Sequence, residues 1–340
     1  MREVPQSLAN SQTLAKPFAR IQNLRLAHSL PRVYDAPAPL RLWHLTSLDA
    51  PTVAVVWTLA FAWVAEVALP LWVPVLLALA AWAVYIGDRL LDARSALRAA
   101  HHRRLRLRHR FHWRHRRIFL PIAIAAAGSA AVIVFSFMPV AARERNSVLA
   151  AAALVYFTRV HSFAPTHSNP VHSSRNRTRF PSVLRVPFGT PLVSRILSKE
   201  MLVGLLFTAA CVLPAFTRSA QPSSNASLLI LPAVFFALLA WLNCHAIEHW
   251  ESRNHPAETP RILPTTAIFA PALALSLAGM LIAAALAEPH PRSAALLAAG
   301  ALSALLLAIL DRRRSRLTPL ALRTTADLVL LTPIALFFIR

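Results

Sequence analysis

The sequence predicts an all-α, polytopic membrane protein with about nine transmembrane helices, and three observations carry that expectation. Of its 340 residues 56% are hydrophobic and only 15% are charged, well short of the quarter usual in a soluble domain. The charges are not interleaved with the apolar residues but collect in blocks between apolar runs, and about 17–25 residues suffice to cross a bilayer. Ala and Leu fill those runs, which suits helices and lacks the alternation of a membrane barrel.

The elements follow in order. Residues 1–50 are basic, mixed in composition and without an apolar run, which argues against a cleaved signal peptide with its apolar core near the start. Residues 1–40 are expected to be largely disordered. RLWHLTSLDA, 41–50, reads as a short interfacial lead-in with Trp43 near the headgroups. A transmembrane domain then occupies 51–340. Its apolar segments run over 51–69, 71–87, 118–138, 147–161, 199–217, 227–247, 262–287, 292–310 and 318–338. Pro70 divides the first two into a tight hairpin, and basic loops occupy 88–117 and 162–198.

Net charge is +22, from 36 Lys and Arg against 14 acids. With a cytoplasmic N-terminus, 28 of the 36 basic residues fall on the cytoplasmic side, in 1–50, 88–117, 162–198, 248–261 and 311–317. The opposite side receives five: Arg143, Arg145, Arg218, Arg292 and Arg340. That asymmetry is the positive-inside signature of a cell (inner) membrane protein whose C-terminus lies on the far side. The basicity thus reports topology and anionic membrane lipid, and nucleic acid is not expected as a partner. No obligate protein partner is evident either. Cys211 and Cys244 both lie inside apolar runs, where packing is the expected role and no disulfide framework is implied.

Acids are scarce, yet several gather at the cytoplasmic ends of spans. VYIGDRLLDARS, 84–95, closes the second span with Asp88 and Asp92, spaced i,i+4 on one helical face. Glu248 and Glu251 close the sixth at i,i+3, and Glu200 opens the fifth beside Lys199. Paired anions repel, and anions in the last turn of a helix oppose its dipole by about 0.3–1 kcal/mol each. Burial near the membrane adds to this cost. Arg89, Arg94 and Arg253 are one source of compensation. A divalent cation is the other, since Mg²⁺ is held by one or two carboxylates together with substrate phosphate oxygens. For one acid pair, ion pairing at headgroup level is the simpler account. Two pairs on separate helices, ending on the same side, favour a shared metal–diphosphate site.

These residues resemble the UbiA-type intramembrane prenyltransferases. In that family an Asn opens the first acidic motif and Asp follows at the fourth and eighth positions after it. VYIGDRLLD matches with Asp88, Asp92 and the intervening Arg89, while Val84 stands in place of the Asn. The second motif, on the sixth helix, is similar to LNCHAIEHWESR: Asn243 and Glu251 match, Ile247 occupies the fourth position, and Glu248 follows one residue late. YFTR resembles the family's tyrosine and basic residue at the end of the fourth helix, giving Tyr156 and Arg159. The resemblance covers about 45–338 in architecture and rests on three short motifs. It implies a nine-helix UbiA-like bundle and Mg²⁺-dependent transfer of an isoprenyl group from an allylic diphosphate to an aromatic or lipid-like acceptor. Asp88, Asp92, Glu248 and Glu251 would hold the metal, with Asp88 and Asp92 catalytic. Arg89, Arg159 and Lys199 would contact the diphosphate, and Tyr85, Tyr156 and Asn243 the substrate. Trp82, Tyr85 and Trp241 would either offer π faces to the allylic cation or form the interfacial belt common to membrane proteins. Two further readings stand beside this one: an isoprenoid- or lipid-binding descendant without catalysis, and a small-molecule transporter.

Other signals carry less. HHRRLRLRHRFHWRHRR, 101–117, places His112 and His115 at i,i+3, but a basic segment against anionic lipid is the simpler reading than a metal site. Arg323 and Asp327, i,i+4 within the ninth span, are expected to pair with each other, and Glu66 reads as another acid deep in a span. The DRLLDAR string also brushes against the CDP-alcohol phosphotransferases. Their motif needs a Gly after its second Asp and further downstream acids, whereas Ala93 follows Asp92 and 95–117 contains no acid.

Overall fold

The structure, a computed structural model, describes residues 34–98, 107–162, 199–219, 227–253 and 268–338. The expectations for residues 1–33, for 163–198 and for His101 and His102 lie outside the described residues.

Among the described residues the regular elements are helical, and extended pairing is confined to an isolated parallel bridge between Tyr34 and Leu317. Helix α1 spans Ala38–Leu45 and meets α2, Asp49–Val64, at 88°. The corner turns through Ser47, whose φ of 61° lies in the left-handed region that costs L-residues about 1–2 kcal/mol. The chain continues through α3 (Trp72–Arg98), α4 (Leu107–Arg114), α5 (Arg116–Phe137), α6 (Val140–Ser162), α7 (Lys199–Ser219) and α8 (Ile230–Arg253). Helix α9 spans Phe269–Leu286, α10 spans Pro291–Arg313, and α11, Pro319–Leu328, tightens into a 3-10 helix over Val329–Phe338.

Each of the nine apolar segments corresponds to one of these helices. Seven of them are long and apolar enough to cross a membrane, and the bent α1–α2 unit makes an eighth. The chain is therefore an all-α polytopic membrane protein, close to the expected count of about nine. Helix α6, which carries Arg143, Glu144, Arg145 and Arg159, does not meet that measure, and it begins at Val140, two turns earlier than expected. Arg143, Glu144 and Arg145, expected in a loop, thus fall within its first two turns.

Two other boundaries move. Helix α3 runs on to Arg98, so Asp88 and Asp92 do not end it, and the dipole penalty expected of the last turn does not reach them. Helix α2 stops at Val64, which leaves Glu66 in the following turn, exposed and 3.1 Å from Arg292 Nη1. It is not an acid deep in a span. Residues 34–50, grouped with the disordered N-terminus in the sequence reading, are folded: Tyr34 N donates to the Arg316 carbonyl and Thr318 N to the Tyr34 carbonyl.

Helix α10 is the axis of the bundle, with 67% of its spanning window inside the protein against 17% for α3 and for α5. One core cluster surrounds Trp57, stacked on Phe236 with ring centroids 3.8 Å apart and its indole N–H donating to the Leu330 carbonyl at 2.9 Å. A second, further along α8 and α10, gathers Leu242, Ile247, Trp250, Leu307 and Leu322. Lipid competes for apolar surface, so close backbone approach does much of the joining. At Gly204 on α7 an added Cβ would lie 2.9 Å from Trp241 N and 3.2 Å from the Ala237 carbonyl oxygen of α8. Where α11 gives way to the 3-10 turn, hydroxyls take up main-chain carbonyls: Ser303 Oγ donates to Val329 O at 2.7 Å and Thr332 Oγ1 to Ala299 O at 2.7 Å.

Charged side chains consequently sort to the two ends of the bundle. At one end stand Glu66 and Arg292, whose guanidinium also lies over the Trp63 ring, and Arg218 over Trp72. At the other, Asp311 accepts from Trp250 Nε1 at 2.8 Å and from Arg314 Nη1 at 2.6 Å.

Candidate functional site

The Asp311 end also holds a buried polar cluster at the α1–α2 corner. Asp49 is the first residue of α2, where a carboxylate complements the helix dipole, and its Oδ1 accepts the Ala50 N–H at 3.0 Å. Its Oδ2 lies 2.6 Å from His44 Nδ1. Asp327 Oδ2, from α11, lies 3.6 Å from the same nitrogen. Arg89 reaches in from α3, with Nη1 donating to the His44 carbonyl at 3.2 Å and Nη2 3.6 Å from Asp49 Oδ2. Asn243 on α8 closes the ring, Nδ2 donating to Asp327 Oδ1 at 3.4 Å. His44, Asp49, Arg89 and Asn243 are all buried, at 0–4% exposure.

The predicted site residues fall around this cluster. Asp88 and Asp92 on α3 and Glu248 and Glu251 on α8 stand at the same end of the bundle. Asp88, Asp92 and Glu251 are half-buried and Glu248 is more exposed, and all four are engaged by neighbouring groups. Tyr156 on α6 is within electrostatic reach of Asp88 and Asp92 on α3, of Cys244 on α8 and of Glu200 on α7. Tyr85 likewise feels Cys244, Asp49, Asp327 and Arg89, whose guanidinium carbon lies 5.8 Å above its ring centre. Lys199 opens α7 and is exposed. The side chain of Arg159 lies outside the described residues. Arg89, expected on the diphosphate, is directed at Asp49 and His44 instead of outward. Among the described residues no three of these carboxylates bring ligand atoms within 4.8 Å of one another; such a group is found at His44, Asp49 and Asp327, while oxygen donors of the α3 and α8 kind are those Mg²⁺ prefers.

One expected pairing differs from that observed. Arg323 and Asp327 do not join each other: Arg323 Nη1 binds Glu251 Oε1 of α8 at 2.7 Å, while Asp327 faces His44 and Asn243. At i,i+4 they share a helix face, but each meets a group on a neighbouring element instead. His112 and His115 diverge, His112 Nε2 meeting Ser47 Oγ at 3.2 Å and His115 Nδ1 donating to its own helix at the Phe111 carbonyl. Trp82 Nε1 donates to the Thr46 carbonyl, and Trp241 stacks on His245 at 5.9 Å. Cys211 and Cys244 are unpaired, as expected of packing residues.

His44 and Asp49 were not singled out by the sequence reading. The available signal was an acid at the first residue of a span, five positions after a histidine, in a chain that otherwise spends few acids inside its apolar segments. Comparison of the chain with protein-family models, with curated proteins and with solved structures finds no match.

Proposed function

We propose that the chain is a UbiA-type intramembrane prenyltransferase, with its N-terminus in the cytoplasm and its C-terminus across the inner membrane. It transfers an isoprenyl group from an allylic diphosphate to an aromatic or lipid-like acceptor. The reading is supported by the placement of two acid pairs, Asp88 and Asp92 on α3 and Glu248 and Glu251 on α8, at one charged end of the bundle. In the reaction the allylic C–O bond breaks, diphosphate departs, and the acceptor forms the new bond and gives up a proton. Magnesium supplies charge neutralisation of the diphosphate. Asp88, Asp92, Glu248 and Glu251 hold it. Lys199 and Arg159, at the facing ends of α7 and α6, draw in the substrate's phosphate oxygens, and Tyr85 and Asn243 border the acceptor side.

The test uses purified protein in phospholipid nanodiscs with a labelled isoprenyl diphosphate, Mg²⁺ and extracted membrane lipids as acceptors. Label should move into the lipid fraction, and Asp88→Ala or Asp92→Ala should each slow transfer at least ~100-fold, the scale of a lost electrostatic contribution. A protein that neither binds nor consumes the diphosphate, with or without Mg²⁺, sinks the proposal. The hold of Arg323 on Glu251 favours a second reading, binding of the isoprenoid without transfer. That reading expects saturable Mg²⁺-dependent binding and no product.

A further inference from the structure

We propose that His44, Asp49 and Asp327 form a binding site for a divalent transition-metal cation of the zinc class, with a donor set distinct from the α3 and α8 carboxylates. One ligand atom from each of the three lies within 4.8 Å of the other two. Tetrahedral zinc with N and O ligands at about 2.0–2.2 Å sets those atoms roughly 3.3 Å apart. His44 Nδ1 stands 2.6 Å from Asp49 Oδ2 and 3.6 Å from Asp327 Oδ2. Reaching that spacing changes these two distances by about 0.7 and 0.3 Å and the third, at most 4.8 Å, by no more than about 1.5 Å.

Charge supplies the driving force. Asp49 and Asp327 bring two negative charges into the interior and Arg89 returns one positive charge. An uncompensated buried ion costs several kcal/mol, so the remaining carboxylate calls for a counter-charge, which either a proton at His44 or a bound cation can supply. The chemistry of the donors selects its class. Imidazole with two carboxylates suits Zn²⁺ and its neighbours better than Mg²⁺, and three protein ligands leave the open fourth position typical of a reactive zinc.

A second observation points the same way. Asn243 is 4% exposed and donates to Asp327 Oδ1, yet its own Oδ1 has no hydrogen-bond partner among the described residues. An oriented carboxylate with an unused amide oxygen beside it is the kind of supporting group that metal ligands rely on. His44 Nε2 likewise has no hydrogen-bond partner among the described residues. Coordination through Nδ1 places the imidazole proton on that nitrogen.

The experiment loads the full-length purified protein with Co²⁺ in detergent micelles. It measures metal per chain by mass spectrometry of the element and the visible absorption of tetrahedral cobalt. One cobalt per chain, displaced by Zn²⁺, is expected. His44→Ala and Asp327→Asn should each weaken binding at least 100-fold, and Asn243→Ala about 10-fold, as for a second-layer residue. Glu66→Gln, at the opposite end of the bundle, should leave binding unchanged. Should the ligand variants fail to fold, Asn243→Ala decides the matter: unaltered affinity in that protein overturns the proposal. So does cobalt that survives His44→Ala, which would place the ion on the α3 and α8 acids. Wild-type protein that takes up no cobalt while His44 titrates in its NMR spectrum holds a proton there, and this too overturns it. None of these readouts depends on prenyl transfer, so failure of this site and failure of the transferase reading are seen separately.

Discussion

Asp49 and Asp327 are both acids inside a membrane bundle, but their surroundings differ in kind. Asp49 sits at a helix N-terminus with a main-chain N–H on one oxygen and an imidazole on the other. Asp327 stands in the last turn of α11 and depends on His44 and Asn243 from other elements. The Glu251–Arg323 pair joins α8 to α11. Both side chains are less than a fifth exposed, so Arg323→Gln should remove a charged donor from the Glu251 carboxylate at a cost of about 2–3 kcal/mol. Adding Glu251→Gln should recover most of that loss. Denaturation of the two single variants and the double variant measures the coupling; additive effects would show that the pair contributes nothing. At Asp311 the partners are two, and Trp250→Phe removes one donor while Arg314 remains. Its expected cost is about 1 kcal/mol, read from the same denaturation curves.

Among the elements, the α7–α8 contact is set by main chain against main chain. Gly204→Val should force the helices apart, since neither Trp241 N nor the Ala237 carbonyl can rotate away. Overpacking of this sort costs about 1–3 kcal/mol, measurable as a fall in thermal midpoint in detergent. The tether of residues 34–36 to the α10–α11 turn is softer and pH-dependent. Thr318 Oγ1 donates to Asp35 Oδ1 at 2.8 Å and the Ala36 N–H to the same oxygen, and together they hold the Asp35 carboxyl below its ordinary value. A carboxyl lowered by folding stabilises the tether above its unfolded value, about pH 4, and ceases to do so as pH falls through the lowered one. Hydrogen exchange at the Thr318 amide, corrected for its intrinsic rate, should therefore accelerate between pH 5 and pH 3. Asp35→Asn should remove that pH dependence.

Across the whole molecule, burial and charge are arranged on different axes. Burial runs radially, from α10 at the centre to the exposed faces of α5 and α6. Trp57→Ala, at the joint of α2, α8 and the 3-10 turn, should cost about 3–5 kcal/mol. Charge runs along the bundle. On the proposed topology, which rests on the positive-inside asymmetry of the sequence, the Asp311 end faces the cytoplasm. A cysteine introduced at Arg292 should then react with an impermeant maleimide from outside, and one at Arg314 only after permeabilisation. The reverse pattern would invert the topology.

Fold class and the places of the long apolar helices were legible in the sequence because they depend on local quantities. A run of apolar residues long enough to satisfy its own backbone hydrogen bonds in lipid has little alternative to a helix. Boundaries were legible only to within a turn or two. Arg143 and Arg145 tolerate an exposed first turn, and α3 extends past Asp92 because nothing in DARSALR breaks a helix. Asp88, Asp92, Glu248 and Glu251 could be found by spacing, since each pair lies on one helix. The partners of Arg89, Arg323 and Asp327 could not. His44 comes from a lead-in that turns 88° into the first span, and Asp327 lies hundreds of residues further along the chain. Periodicity states which face a side chain occupies. Only the packing of α1, α2, α3, α8 and α11 decided which charges share a buried space, because that choice depends on distances between elements that no single segment encodes.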